Sequence, residues 1–576
     1  QNMLKYLKWS NLTTTECCIE AIVFNSSINS SIEYHEMKSW LASWSMPLLF
    51  SISTVLSWYL YSPLTMAPPL WLHSVNRDVV SRTEAFATGD ILWNWGQTFS
   101  FSPKRVLLPG NVHELQMMVS DAPSLRVVGG GHCFNSQIST DETLIDLHKM
   151  NHIELKTLPD GKYVVNVGGG AKIRHVQYYL VQRGLNIHGF GGGTHHQSIA
   201  GGISTNLHGD QRHILAQHVE SLDVVLANGT LLTLGETHSL FHAVKSGMGL
   251  FGVIYNATIR VYPRQCLEVS AFTCTKEEAL GHLTGNVSFG DFKATSWGLR
   301  NDNVAVHKYT PVDDITHCAS ASSFKRDEYT NKWSAYEFDN WMLPFQVIFL
   351  GFTDTKFISN SFNSVMISEN KKYVALESGW RYKVAPSFGQ IFAEYSVPYD
   401  VCQNTTDEIL EAADSKNIVV TSMNVRMLSE ENGTLLAYAP VASCAIEVYY
   451  LPCQKNTKAA MLAIQEVVYK NGGRSHFGAA YSDSKRNITT RKEWAEEESL
   501  FYNLKNDADP NNKFKMQVSK GMVDYDSLSH RARVFRGLFY CSLFAGLFAV
   551  GCTVCMCMQK QKTSYEKLPQ GQLFQF

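Results

Sequence analysis

The chain has 576 residues, 45% of them hydrophobic and 18% charged, with a formal net charge of −2. That length and apolar content exclude a single small domain and a largely disordered chain. The lack of a basic excess argues against a nucleic-acid partner held through its phosphates.

Residues 1–36 form a leader of uncertain origin. Met37 and Lys38 precede an apolar run, Pro47–Tyr61, so residues 37–82 are expected to hold a signal peptide or signal anchor and a linker. From about Thr83 the pattern is that of a folded chain. A strand is expected at Arg105–Pro109, a helix at Asn111–Ser120, and an apolar strand at Leu125–Val128 that runs into Gly129, Gly130 and Gly131. Tyr163–Val167 reads as another strand ending in three glycines, and the helix expected at Ile173–Gln182 is closed by Gly184. After the glycine-rich stretch 189–209, Val219–Ala227 and Leu231–Leu234 read as a hairpin about Asn228-Gly229. A helical piece at Leu240–Lys245 and a strand at Val253–Tyr262 follow.

Beyond Cys266 glycine thins and aromatic residues increase. Strands are expected at Ile391–Val397, Ile418–Met423 and Ala445–Leu451, and helices at Thr406–Ser415 and Thr457–Tyr469. The expected fold class is therefore α+β in two domains, 83–265 and 266–530. Gly537–Gln559 is an uncharged run of 23 residues between Arg536 and Lys560. As a helix it is long enough for a hydrocarbon layer of ~30 Å, so a C-terminal transmembrane helix, a short tail over 560–576 and a membrane location are expected. Six sequons and the six cysteines from Cys266 to Cys453 fit a body in the secretory lumen or outside the cell.

Fifteen of the 39 glycines fall between Gly129 and Gly209, and ten of the 20 histidines between His132 and His218. This clustering locates a site. A strand that ends in bare glycines presents successive main-chain N–H groups, an anion nest suited to a pyrophosphate. Gly247, Gly249 and Gly252 match GxGxxG, but a helical piece precedes them and a strand follows, the reverse of a Rossmann turn. His195, His196, His208 and His213 lack the carboxylate or cysteine partners of a metal site, so no metal is expected.

Five segments carry a resemblance in this order: Trp93–Pro103, Arg126–Asn135, His196–Gly209, Val219–Leu234 and Gly249–Pro263. Together they resemble the FAD-binding domain of the vanillyl-alcohol-oxidase-type flavoproteins, above all the sugar-lactone oxidases and alditol oxidase. The resemblance implies a two-subdomain FAD-binding domain and a substrate cap. It implies that His132, in the family's GGGHS loop, joins the flavin covalently, with Cys133 in place of the family's serine. Gly129, Gly130 and Gly131 would then meet the cofactor. Ser198, Gly201, Gly202, Ser204, Thr205 and His208 would supply a second flavin contact, and Gly252, Val253 and Ile254 would meet its nucleotide end.

On the substrate side, Met423–Arg426 resembles the family's E-x-R strand. Arg426 matches, and Asn424 replaces the acid. Gly473–Gly478 resembles the family's R-P-H-W-G-K loop through His476 and Gly478, with Ala479 in place of the lysine. Asp509–Phe514 resembles its closing DP-x-x-KF segment. Strand alternation places Ala445, Glu447 and Tyr449 on one face and Cys444, Ile446, Val448 and Tyr450 on the other. A glutamate among apolar neighbours implies a polar cavity, so Glu447 is expected to face the site as an acid or base. The expected function is a membrane-tethered FAD-dependent oxidation of a sugar-derived alcohol or aldonolactone, with O₂ or another electron acceptor. The alternative is a non-catalytic cell-surface binding protein on the same scaffold.

Overall fold

The structure, a computed structural model, describes residues 92–94, 99–190, 197–209, 212–283, 289–294, 303–313, 371–376, 391–416, 418, 420–450, 457–480 and 495–516. The first elements are a short antiparallel pair, β1 (Leu92–Trp93) and β2 (Ser100–Phe101). Next come β3 (Arg105–Leu107), α1 (Val112–Asp121), β4 (Leu125–Val128) and β5 (Thr143–Asp146). The three strands form a parallel sheet in the order β3-β5-β4. The start of α1 is written locally. The Asn111 side chain accepts the Glu114 N–H at 2.9 Å, and the Glu114 carboxylate accepts the Gly110 N–H at 2.7 Å.

A second layer holds β6 (Ile153–Thr157), β7 (Tyr163–Gly168), α2 (Ile173–Val181), β8 (Leu185–Asn186) and α3 (Ile199–Ser204). It continues with β9 (Val219–Val225), β10 (Leu231–Gly235), α4 (Ser239–Val244), β11 (Val253–Arg260) and β12 (Tyr262–Pro263). Its sheet has the order β10-β9-β11-β7-β6, all antiparallel. Gly184 after α2 and Gly229 in the β9–β10 turn both have positive φ, +71° and +82°, which is why glycine stands there.

The substrate half is one mixed-length antiparallel sheet of eight strands. Its elements are β13 (Cys266–Thr275), α5 (Lys276–His282), β14 (Phe289–Ala294), β15 (Asn303–Val312), β16 (Lys371–Leu376) and β17 (Ile391–Pro398). They continue with α6 (Cys402–Ser415), β18 (Val420–Leu428), β19 (Ser443–Tyr450), α7 (Thr457–Lys470) and β20 (Arg474–Ser475). The order is β16-β13-β15-β14-β18-β19-β17-β20. A disulfide, Cys402–Cys444, ties the start of α6 to β19, and Cys266 is also disulfide-bonded.

The last described segment returns to the first layer. In α8 (Ala495–Ala508), Phe501 packs edge-on against Phe251 with ring centres 4.9 Å apart. Lys513 Nζ then donates to the Val119 and Ser120 carbonyls at the end of α1, at 2.7 and 2.9 Å. The buried Arg126 guanidinium donates to the carbonyls of Phe514, Gln137 and Met248 at 2.7, 2.6 and 2.8 Å. Phe501 and Phe514 accordingly belong to the same apolar core as Val165, Val224 and Ile254.

The membrane expectation is corrected. Among the described residues no helix is long and apolar enough to cross a membrane. The longest of them, α6, α7 and α8, have 14 residues each and rise only about 21 Å, short of a ~30 Å layer. The run 537–559, the apolar run 47–61, the leader and the tail all lie outside the described residues. The transmembrane helix, the membrane partner, the membrane-tethered body and its lumenal or extracellular placement thus find no support among the described residues.

Candidate active site

Main chain packs against main chain where the glycine runs meet. A Cβ added to Gly129 would lie 1.8 Å from Ser198 Oγ, one on Gly170 1.8 Å from the Leu147 carbonyl oxygen, and one on Gly169 2.1 Å from that of Ile254. The strand end 129–131, the turn 168–170, the start of α3 and the start of β11 are thus in direct contact. Ser198 caps α3, its Oγ accepting the Gly201 N–H at 3.2 Å. Lys172 bridges Ser198 through main chain and donates its Nζ to the Gly129 carbonyl at 3.2 Å. Gly131 has φ +67° and Gly252 φ +154°. Among the described residues the N–H groups of Gly130 and Gly131 find no acceptor. A cradle with bare, unused N–H donors fits an anionic dinucleotide such as FAD.

His132 and Cys133 follow, both half-buried. Burial pushes the Cys133 thiol up to about 11 against the pull of Arg126, so the thiol stays protonated. Thr205 Oγ1 donates to the Gly201 carbonyl at 2.8 Å, the Met248 N–H donates to the Ser204 carbonyl at 2.9 Å, and a Cβ on Gly202 would meet Leu207 at 2.8 Å. Val253 and Ile254 are buried in the first core. Part of the second glycine loop, 191–196 with His195 and His196, lies outside the described residues.

Opposite this cradle, strand register makes a polar row. β17, β19 and β18 are neighbours, with Glu394 across from Glu447 and Glu447 across from Asn424. Alternation sends Tyr395, Ile446, Val448, Met423 and Val425 into the second apolar core, so Glu394, Glu447, Asn424 and Arg426 share the other face. Glu447 is 4% exposed. It forms an ion pair with Arg426 and accepts from Asn424 Nδ2 and the Tyr449 hydroxyl, each at 2.9 Å.

Glu394, also 4% exposed, accepts from His208 Nε2 at 2.5 Å and from the Tyr438 hydroxyl at 3.4 Å. Burial alone would raise its carboxyl, but the fields of His208, His476 and Arg426 outweigh it and hold Glu394 at about 2. His476 follows β20. Its Nε2 donates to the Asn206 carbonyl and its Nδ1 accepts the Gly478 N–H, both at 3.1 Å. Burial pushes His476 down to about 4, so the ring is neutral. Burial, with the nearby carboxylates, also pushes the Tyr438 and Tyr449 phenols well above 10. His208, Glu394 and His476 bring ligand-type atoms within 4.8 Å of one another. Both His476 nitrogens are committed to main chain, however, which makes this a hydrogen-bonded cluster and not a poised metal cradle.

The two halves are tied together beside His132. Phe134 N–H donates to the Gly478 carbonyl at 2.8 Å, and Asn135 Nδ2 donates to the carbonyls of Phe477 and Ala479 at 2.6 and 2.8 Å. Ala479 is buried and brings no cation to the loop. Glu394 and Tyr438 are not singled out by the sequence, and Tyr449 is placed there only on the face of Glu447. The signal for Glu394 is present in IFAEYSVP, a lone carboxylate in an apolar strand, by the same argument as for Glu447.

Comparison with known proteins agrees with this layout. The family model of the FAD binding domain matches residues 103–235, and that of D-arabinono-1,4-lactone oxidase matches residues 257–520. The chain carries a vanillyl-alcohol-oxidase-type FAD-binding oxidase domain. That domain is closely related to the gulonolactone and arabinono-lactone oxidases, and the chain is an FAD-dependent oxidoreductase acting on CH–OH donors. L-gulonolactone oxidase of Bos taurus is 25% identical over 412 residues, 69% of this chain and 90% of that protein. D-arabinono-1,4-lactone oxidase of Yarrowia lipolytica is 31% identical over 193 residues, which are 36% of its length. A histidine-to-alanine mutant of cholesterol oxidase from Brevibacterium sterolicum has the same fold, with a TM-score of 0.59 at 11% identity, covering 76% of this chain and 97% of that one.

Proposed function

We propose that this enzyme oxidises a neutral sugar-derived alcohol or an aldonolactone at a CH–OH carbon, and that Arg426 and the buried carboxylates across from the glycine cradle handle that hydroxyl. The observation that carries the reading is the tie between Phe134 and Gly478, which joins the cofactor loop to the polar row. FAD, when bound, supplies the hydride acceptor. Gly130 and Gly131 would hold the pyrophosphate through their N–H groups, with Gly129 keeping Ser198 close enough to shut the cradle. Ser198, Gly201, Gly202, Ser204 and Thr205 line the second contact, and Gly252, Val253 and Ile254 the nucleotide end.

Arg426 binds the reacting oxygen and stabilises negative charge that develops there. Glu447 takes three donors, so its first task is to hold the guanidinium in place; Asn424 completes that clamp where the family has its acid. His476, held at both nitrogens, positions the loop 476–479 against the cradle. His132 would join the flavin covalently. A neutral imidazole nitrogen is a competent nucleophile toward an activated methyl group.

Purified protein tests this directly. The expected preparation is yellow, keeps its flavin through acid precipitation, loses that retention in His132→Ala, and forms peroxide with members of a sugar-lactone and alditol panel. A yellow protein that turns over nothing on the panel, with any electron acceptor, points instead to a binding scaffold.

A further inference from the structure

The Arg426–Glu447 clamp leaves one task unassigned, the removal of the hydroxyl proton. The candidates among the described residues differ in what their lone pairs are doing. Glu447 is engaged by Arg426, Asn424 and Tyr449. His476 spends Nδ1 on the Gly478 N–H and Nε2 on the Asn206 carbonyl. The Tyr438 hydroxyl donates a hydrogen bond to Glu394, and the Tyr449 hydroxyl donates one to Glu447. His208 is different. A carboxylate only accepts, so the contact to Glu394 fixes the proton on Nε2. Nδ1 is left buried and, among the described residues, without a hydrogen-bond partner, in a residue only 4% exposed. A buried polar atom with nothing to meet is costly unless a ligand meets it.

We propose that His208 and Glu394 are a proton-accepting dyad, in which Glu394 holds the imidazole by Nε2 and His208 Nδ1 takes the hydroxyl proton of the substrate. This rests on the reading of the enzyme as a CH–OH oxidase. The O–H bond breaks and its proton passes to Nδ1. The carbinol C–H leaves as hydride, carrying both electrons to the bound FAD, and the carbon–oxygen double bond closes. The substrate loses two electrons and two hydrogens; FAD takes the electrons with one hydrogen, and His208 takes the other as a proton. The imidazolium so formed faces an ionised Glu394, the same stabilisation a buried aspartate gives the histidine of a hydrolytic triad.

The dyad is clamped on several sides. The His208 ring lies 5.4 Å from the Tyr438 ring and 5.4 Å from the His476 ring. Tyr438 also donates to the Glu394 oxygen that receives His208. The charged and titratable groups around the pair are therefore Tyr438 from the 430–440 loop, His476 after β20, and Arg426, Glu447 and Tyr449 from β18 and β19. In this arrangement His208 is the catalytic residue and Glu394 a positioning residue.

The test uses the flavin-loaded enzyme with selective ¹⁵N-histidine NMR and the pH profile of turnover. The spectrum of the resting enzyme should show His208 protonated at Nε2 and bare at Nδ1. A proton on Nδ1 at neutral pH, with Nε2 bare, overturns the proposal whether or not a substrate has been found. His208→Gln should lose turnover per bound flavin by about a hundredfold or more, the usual contribution of a positioned base. Glu394→Gln should move the acid limb of the kcat profile to lower pH, because the imidazolium loses its counter-charge. Retention of kcat within about threefold in His208→Gln, or an unmoved limb in Glu394→Gln, overturns it. A wild-type enzyme inactive on every substrate refutes the oxidase reading instead and leaves the NMR result to judge the dyad.

Discussion

In the cofactor half, the work falls to main chain that glycine leaves bare: 129–131, 168–170 and the start of α3 touch through atoms that a methyl group would displace. In the substrate half it falls to side chains, and their placement comes from the pairing of β17, β19 and β18. The first kind of site is intolerant of added volume and indifferent to charge. The second tolerates a change of shape better than a change of charge or donor count.

The largest effect is expected at Gly170. Its added Cβ meets the Leu147 carbonyl, which is main chain and cannot swing aside as a side-chain tip can. Gly170→Ala should cost more than about 4 kcal/mol and empty the protein of flavin, read by denaturant unfolding and visible absorbance. Gly129→Ala meets a side chain, Ser198, so Gly129→Ala with Ser198→Gly should recover part of the flavin that Gly129→Ala alone loses. No recovery would mean that the loop itself, and not the contact, sets the requirement.

Arg426→Ala should lower kcat/KM by about 10²–10³, with flavin content unchanged. Glu447→Gln keeps the volume and one acceptor, and should cost about tenfold, mostly in KM. Equal losses in both would make Glu447 an acid or base in its own right, and unchanged turnover would remove it from the site.

Acid should destabilise the substrate half in two stages. His476 is held down to about 4, below its ordinary 6.5, so the unfolded chain binds its proton first. Stability should therefore fall as pH drops from 6.5 to 4, by up to about 3 kcal/mol from this residue. Glu394 is held at about 2, below its ordinary 4.5, so its contribution is full above 4.5 and is lost as pH falls towards 2. Unfolding measured across both windows should show the upper slope flattened in His476→Gln and the lower one retained.

The smallest effect is expected at Lys513, whose Nζ caps α1 from the far end of the chain. Lys513→Met should cost about 1 kcal/mol and leave the visible spectrum alone.

The contrast between the halves also explains what the sequence could reveal. Bare main chain needs glycine, and glycine is visible, so the sequence points to 129–131 and 189–209, whereas the close packing of 168–170 against Leu147 and Ile254 shows only in the fold. Turn glycines were equally plain: Gly184 and Gly229 stand where φ is positive. Cross-strand register is invisible locally. Nothing near Glu394 indicates that it will face Glu447, 53 positions further on. The strand expected at Ile418–Met423 runs instead from Val420 to Leu428. Asn424 and Arg426 interrupt its apolar alternation because they face a polar row, and that interruption reads as a strand end. The FAD-linked family was legible from motif order, whereas the membrane helix expected from an uncharged run with basic flanks finds no counterpart among the described residues.

The hook formed by Lys513 and Phe514 sets a limit on how the protein can be made. A ribosome delivers residues in order, and the nucleotide-binding layers emerge long before the segment that seals them against α1 and Arg126. Until then a guanidinium buried in the finished fold lacks one of its carbonyls, and the apolar surface that Phe501 and Phe514 will cover stays wet. A nascent chain that has finished translating its cofactor loops is thus still unable to close around them, and a fragment cut before residue 509 should behave as a sticky intermediate.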